Sequence, residues 1–282
     1  MTDINKIMKD VVRIDPIPQA STRIMAIVDD PDSSIADVVR LVEYEPALTA
    51  NLLKICNSTY LGLAREITSV HHAVSLLGMR QVADLVLMAG VVRTMSREQK
   101  GYGLDQGDLW KYSVSSAIIA RQLADKKGSE KRNLIFTAAL LKDIGKILLS
   151  QYVMDSFDKI NALVSENGYS FMEAEKEVIG IDHAELGGMI AEQWKFNEKM
   201  IYVIRNHHLS DTESMSDFET GMVYLADMLC MMMGIGGGSD GLAYRFHEEV
   251  VKGLGFSQTD LQEVMAEFAL QFDEVERLFS LT

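Results

Sequence analysis

The 282-residue chain is poor in cysteine, proline and positive charge. Its two cysteines, Cys56 and Cys230, stand far apart and in no CxxC pair. That excludes a disulfide-stapled small fold and a cysteine zinc site. The longest uncharged stretch, Ile67 to Met79, is too short to span a bilayer. The opening MTDINKIMKDVVRID is charged throughout and lacks the apolar core of a signal peptide. Lys and Arg number 27 against 41 Asp and Glu, for a net charge of −14. Such a chain repels phosphate backbones at long range, so general nucleic-acid binding is not expected, although a local basic pocket stays open. The expectation is a cytoplasmic protein with no membrane association.

Long alternating runs of β-branched residues are also missing, and the fold expected is all-α. The four prolines, at 16, 18, 31 and 46, fall in the first fifth of the chain and punctuate short helices there. The pattern predicts helices over 18–29 (Ile24, Ile27 and Val28 on one face) and 34–43 (Ile35, Val38, Val39 and Val42 buried, Asp32 or Ser33 as cap). A third continues from Pro46 to Cys56, a fourth follows a Ser69 cap to Leu77, and an apolar one covers 79–95. The polar, glycine-containing SREQKGYGLDQG at 96–107 marks a domain boundary. The organisation read is therefore an N-terminal helical subdomain, 1–96, packed on a C-terminal helical bundle, 107–282. Helices are expected there at 108–127, 130–150, 152–167, 170–179, 183–195, 198–208, 217–234, 242–252, 258–270 and 272–280. The GIGGGSDG at 234–241 follows a helix and lacks the lysine of a phosphate loop, so it reads as a helix connection.

Two segments carry ionisable groups where an apolar helix should not. LLKDIGKILL, 140–149, holds Lys142, Asp143 and Lys146, which need partners or water. GIDHAELGG and IRNHH place His183, His207 and His208 within 26 residues. Asp227 lies in the strongly apolar YLADMLCMM. Imidazoles and carboxylates from separate helices form a metal set of mixed character, with Asp143, His183, His207, His208 and Asp227 as ligands if a metal is bound at all. Each also has a plain structural reading. His207–His208 would serve as a helix C-terminal cap, and His183 at a helix start is expected to be a neutral ring with a specific partner. His71, His72 and His247 read as ordinary surface or packing histidines. Asn57 reads as a helix C-cap followed by a turn at Tyr60–Gly62, and Cys56 as a buried inert thiol.

The DIGK at 143–146, the DHAELG at 182–187 and the His207–His208 pair resemble the HD superfamily of metal-dependent phosphohydrolases. IDPIPQASTRIMAIVDDPDSSIADVVRLVEYEPALTANLLKICNSTYLG, followed by ITSVHHAVSLLGMRQVADLVL, resembles the HDOD domain, the HD-related output domain of bacterial signalling proteins. The likeness spans about 12–210. It implies an N-terminal helical HDOD subdomain and an HD-like bundle. It also implies a role in two-component or cyclic-di-GMP signalling. The HD signature supplies a first histidine, an adjacent His-Asp pair and a distal aspartate. The matching positions here read Tyr112, Lys142–Asp143 and Asp227, so histidines are lost at 112 and 142. A lysine at 142 puts a positive charge where the cation would sit, and its donors can satisfy Asp143 and Asp227. The resemblance leaves Lys142, Asp143, Lys146, His183, His207 and His208 as a polar ligand pocket.

Three functions follow as expectations. The first is a non-catalytic output or adaptor protein working through a signalling-protein partner, with no catalytic residue and no cofactor, though a weakly bound divalent metal is compatible with it. The second is a metal-dependent phosphohydrolase of a nucleotide or phosphodiester. The third is a nucleotide-binding module without hydrolysis.

Overall fold

The structure is a computed structural model, and it describes residues 6, 7, 9, 11, 19–58, 61, 63, 66–236, 238, 239, 241 and 245–281. Pro16, Pro18, Tyr60 and Gly62 lie outside these residues, as do 237, 240 and 242–244. Every extended element among the described residues is a helix, and one isolated β-bridge joins Gln99 to Leu104. The chain divides into two compact units, one around Asp15–Thr94 with the last residues of the chain, the other around Met95–Phe268 with the first.

The first unit holds α1 (Gln19–Asp29), α2 (Ile35–Glu43), α3 (Pro46–Cys56), α4 (Val70–Leu77) and α5 (Met79–Met95). Pro46 occupies the first turn of α3, where its missing N–H has no helical partner to lose. The Ser69 hydroxyl accepts from His72 N at 3.0 Å and so starts α4. Gly78, at φ +81°, breaks α4 from α5. Two expectations need correction here. The residue that begins α2 is Ser34, one beyond the expected cap, with its N–H and hydroxyl donating to Asp37 at 2.9 and 2.6 Å. Val38 and Val42 of α2 are buried, but Ile35 is exposed and Val39 only half-buried. Asn57 is the C-cap of α3, as expected. Its φ of −94° is not left-handed, and its side-chain amide pairs with both backbone groups of Ile67 at 2.7 Å. That side chain ties the end of α3 to Ile67, in addition to the residue's place as the cap.

The second unit holds α6 (Asp108–Lys126), α7 (Arg132–Leu141), α8 (Lys146–Asp155), α9 (Phe157–Asn167), α10 (Phe171–Ile179), α11 (His183–Gln193), α12 (Glu198–Asn206), α13 (Thr212–Ser216), α14 (Phe218–Met232) and α15 (Glu248–Gly253). Helix α16 (Gln258–Leu281) is unbroken where two helices were expected. The expected 130–150 helix is interrupted by a turn at 142–145, and α13 was not anticipated. α6 packs against α7 and α14, and α11 against α12. The core of α6 is buried nearly all round: Leu109, Trp110, Val114, Ala117, Ile119 and Ala120 are all inaccessible. Helix starts are fixed by carboxylates. Asp182 accepts from Glu185 N at 2.7 Å at the head of α11, and Asp217 from Thr220 N at 3.0 Å at the head of α14.

Candidate functional site: a buried ion network beside three histidines

The turn that interrupts the expected helix is what brings the charged groups together. A Cβ on Gly145 would lie 2.0 Å from the His183 carbonyl oxygen and 2.8 Å from Gly187 N. Only a glycine permits the turn to sit this close to the start of α11. The glycines of both the DIGK and DHAELG segments are therefore contact residues, and the close approach sets Asp143 and Lys146 beside His183.

Lys142, Asp143, Lys146 and Asp227 form a continuous network with almost no solvent exposure. The Lys142 ammonium binds Asp143 Oδ2 directly and Asp227 Oδ1 at 2.7 Å. Lys146 Nζ reaches the other oxygen, Asp143 Oδ1, at 2.8 Å. The Tyr112 hydroxyl donates to Asp227 Oδ1 at 2.7 Å, and its ring lies 4.3 Å from Lys142 Nζ, within cation–π reach. Two ammonium groups thus face two carboxylates, and the charges balance. Burial opposes the charged form of Lys142, but the Asp143 and Asp227 carboxylates outweigh it and hold the ammonium above its ordinary pKa. Burial likewise opposes an ionised Asp143, and Lys142, Lys146, His207 and His183 overcome it, keeping the carboxyl well below its usual range.

The histidines form a second group against the first. His183, fully buried at the first position of α11, is held by Glu175 of α10. The ring Nδ1–H donates to Glu175 Oε2 at 2.7 Å, and the His183 backbone N–H donates to the same oxygen at 3.1 Å. The Tyr102 hydroxyl donates to the other oxygen of Glu175 at 2.5 Å. Burial pushes His183 toward neutrality, yet the Glu175 carboxylate prevails and raises its pKa. The specific partner expected of His183 is present, but the neutral ring expected with it is not favoured, because the carboxylate outweighs burial. His207 Nδ1 donates to the Ile204 carbonyl at 2.8 Å, at the end of α12. Burial lowers its pKa to about 4, so it works as a neutral cap and not as an imidazolium. His207 Nε2 is buried with no hydrogen-bond partner, 4.0 Å from Asp143 Oδ1. His208 Nε2 lies 2.8 Å from His183 Nε2, a spacing at which the two rings share one proton. Burial, then His207 and His183, hold the pKa of His208 well below the usual imidazole value.

All six residues expected in the polar pocket are brought together, along with Tyr112 and Asp227. Lys142, Asp143, Lys146 and His207, however, lie behind the surface. The nearest open cavity, of about 290 Å³, is walled by His183 and His208 with Lys176, Arg245, His247 and Phe171 among others. Glu175, Tyr102 and Arg245 were missed in the sequence. Glu175 carried a usable signal, since it shares an i, i+4, i+8 face with Phe171 and Ile179, both buried. Tyr102 lies in the loop of 96–107, where no periodicity marks it.

The donor set fits a metal unequally at two places. Between Asp143 and Asp227 it does not fit, because the Lys142 ammonium already binds both carboxylates. One ring nitrogen each from His183, His207 and His208 lies within 4.8 Å of the others, and this trio has the donor chemistry of a zinc-like site. The 2.8 Å between His183 and His208 is nevertheless shorter than the ~3.3 Å that two nitrogens take around one tetrahedral ion, given metal–nitrogen bonds of ~2.0–2.1 Å. The rings are in hydrogen-bond geometry.

The HDOD domain profile matches residues 14–210, and the chain belongs to the HDOD family. An uncharacterized protein of Treponema pallidum (strain Nichols) is 26% identical over 202 residues, 70% of this chain. The match takes in 38% of that relative's length. In fold the chain is similar to an HDOD domain protein of unknown function from Geobacter sulfurreducens, with TM-score 0.75, 24% identity and 99% of each chain covered. It is also similar to a candidate phosphohydrolase from Shewanella amazonensis SB2B, with TM-score 0.73, 23% identity and 97% of each chain covered. A candidate signal transduction protein from Marinobacter aquaeolei VT8 matches 97% of this chain and 61% of its own at TM-score 0.73 and 21% identity. At these identities the likeness is one of fold. Among the described residues no helix is long and apolar enough to cross a membrane.

Proposed function

We propose that the chain is a non-catalytic HDOD output module that acts by binding a signalling protein partner in a two-component or cyclic-di-GMP circuit. The observation that carries this reading is the Lys142 ammonium on both Asp143 and Asp227. A divalent ion activates water by holding it on an open coordination position. Here the carboxylates that would hold such an ion are spent on an internal cation that has no water to offer. Tyr112 adds to this by donating its proton to Asp227, which a metal-binding imidazole in that place would not do. Membership of a family named for signalling output supports the partner-binding half of the reading.

Equilibrium dialysis of the purified chain against Mn²⁺ tests it. The unmodified protein should take up no ion that depends on Asp143. The Tyr112→His/Lys142→His variant, which removes the ammonium and adds two imidazoles, should take one up. Uptake by the unmodified protein that vanishes in Asp143→Asn would overturn the reading.

A second reading rests on the partnerless His207 Nε2 and the convergence of the three rings. It places a divalent metal on His183, His207 and His208, independent of Lys142. Ion uptake that survives Asp143→Asn and disappears in His207→Gln would establish it.

A further inference from the structure

The cavity outside the histidines is built differently from the network behind them. Lys142 and Lys146 do not line it, so they offer nothing to a ligand that enters from solvent. Its nitrogen groups are those of His183, engaged with Glu175 and His208, of His208, of Lys176, which donates to Glu185 at 3.1 Å, and of Arg245 and His247. It has two carboxylates, Glu173 and Asp182, and both are already engaged as acceptors. Glu173 takes the Ser170 backbone N–H at 2.8 Å and the Arg245 guanidinium at 2.6 Å. Asp182 takes the backbone N–H of Glu185. A ligand that brings acceptors to this cavity meets the further N–H groups of Lys176, Arg245 and His247. The starts of α10 and α11 border the same space at Ser170–Phe171 and Asp182–His183, and each is already capped, by the Ser170 hydroxyl and by the Asp182 carboxylate. The rest of the lining includes the apolar side chains of Phe171, Met172, Leu209 and Met215. Leu209 holds its side chain fully buried there at a φ of +56°. A volume of about 290 Å³ suits a ligand of roughly ten heavy atoms, at the lower end of small-molecule pockets.

We infer that this cavity binds a small organic anion, its acidic head held by Arg245 and Lys176 and its compact apolar body by the lining side chains of Phe171, Met172 and Met215. The inference rests on the non-catalytic reading above, since the ligand is bound and released unchanged, and it assigns that module a small-molecule input. Arg245 spends its Nε and Nη2 on Glu173, and a guanidinium carries donors beyond those two.

Titration calorimetry on the full chain with four probes tests it: phenyl phosphate, benzoate, inorganic phosphate and benzyl alcohol. One or both aromatic anions should bind saturably, and the tighter of the two identifies the head as phosphate or carboxylate. The bodiless anion and the uncharged alcohol should each bind at least about tenfold more weakly. Arg245→Gln, checked for an unchanged thermal midpoint of folding, should weaken the anion about tenfold by removing a charge-assisted donor. Met215→Glu should weaken it from the apolar side. Lys126→Gln, whose ion pair with Glu263 lies off the cavity, should leave it unchanged. No saturable binding of either aromatic anion, equal binding of benzyl alcohol, or full affinity in both Arg245→Gln and Met215→Glu overturns the site, and each leaves the non-catalytic reading in place. Release of phenol from bound phenyl phosphate overturns the non-catalytic reading instead, and leaves the site standing.

Discussion

Replacing Lys142 by methionine removes the ammonium at similar length and leaves two carboxylates facing one buried cation. Asp143 keeps Lys146 at 2.8 Å and Asp227 keeps the Tyr112 hydroxyl at 2.7 Å, so neither is stripped bare. The charge balance of the network nevertheless fails by one unit. Breaking a buried ion pair on one side destabilises by about 3–5 kcal/mol. For a domain of this size that lowers the melting midpoint by roughly 6–20 °C. Trp110 and Trp194 both lie in the unit that holds the network, and they are the only tryptophans, so their fluorescence reports on that unit. Adding Asp227→Asn restores one cation against one anion and should recover about 2 kcal/mol as a coupling energy. Lys142→Met with Asp143→Leu should recover less, because Lys146 then loses Asp143. The pH dependence has a definite sign. Asp143 is held below the usual carboxylate range, so its contribution is present above the unfolded value near ~3.9 and is lost as pH falls through the folded pKa. Without Lys142 that folded pKa rises. The deficit of Lys142→Met relative to the unmodified chain should therefore shrink between about pH 7 and pH 4, as the surplus carboxylate takes up a proton. A deficit below about 1 kcal/mol, no recovery with Asp227→Asn, or a deficit flat across that range would refute the electrostatic argument.

Other consequences are as direct. Gly145→Ala would drive a methyl group into the backbone of His183 and should destabilise by about 3 kcal/mol or more, read by urea unfolding, with an unchanged stability refuting the close approach. Asp217→Ala removes the cap of α14 and should cost about 1 kcal/mol, with Asp217→Asn recovering most of it. Cys56 and Cys230 are both buried, and burial raises the pKa of each thiol, of Cys56 to about 11. Both should resist a thiol reagent in the native chain and react in denaturant.

The helices were legible wherever apolar spacing and a cap agreed. Ser69, Gly78 and Pro46 gave the limits of α3, α4 and α5 through local rules that need no tertiary information. The 142–145 turn was illegible for the opposite reason. Leu140, Leu141, Ile144 and Leu149 are buried on every side, so their periodicity continues through a break made by the packing of Gly145 on α11. Ile35 and Val39 are apolar residues on a helix with too few neighbours to cover them, which no pattern reveals. At the site, Lys142, Asp143 and Asp227 were conspicuous as charges in apolar helices. Glu175 gave the same signal more faintly, because it sits among the other acids of FMEAEKEVI. Arg245 gave none. It lies outside any helix, and its place in the cavity wall depends on how α10 and the loop after α14 come together.

The ammonium of Lys142 is joined to the chain by four methylene groups, and that separates it in kind from any ion recruited from solution. A bound metal has an affinity and therefore an occupancy that follows the supply of that metal, competing ions and chelators. A tethered cation has a fixed stoichiometry of one from the moment the chain folds. The carboxylates of this HDOD protein are neutralised in iron-starved and manganese-rich cells alike, and extraction with EDTA should leave the melting curve of the protein unmoved.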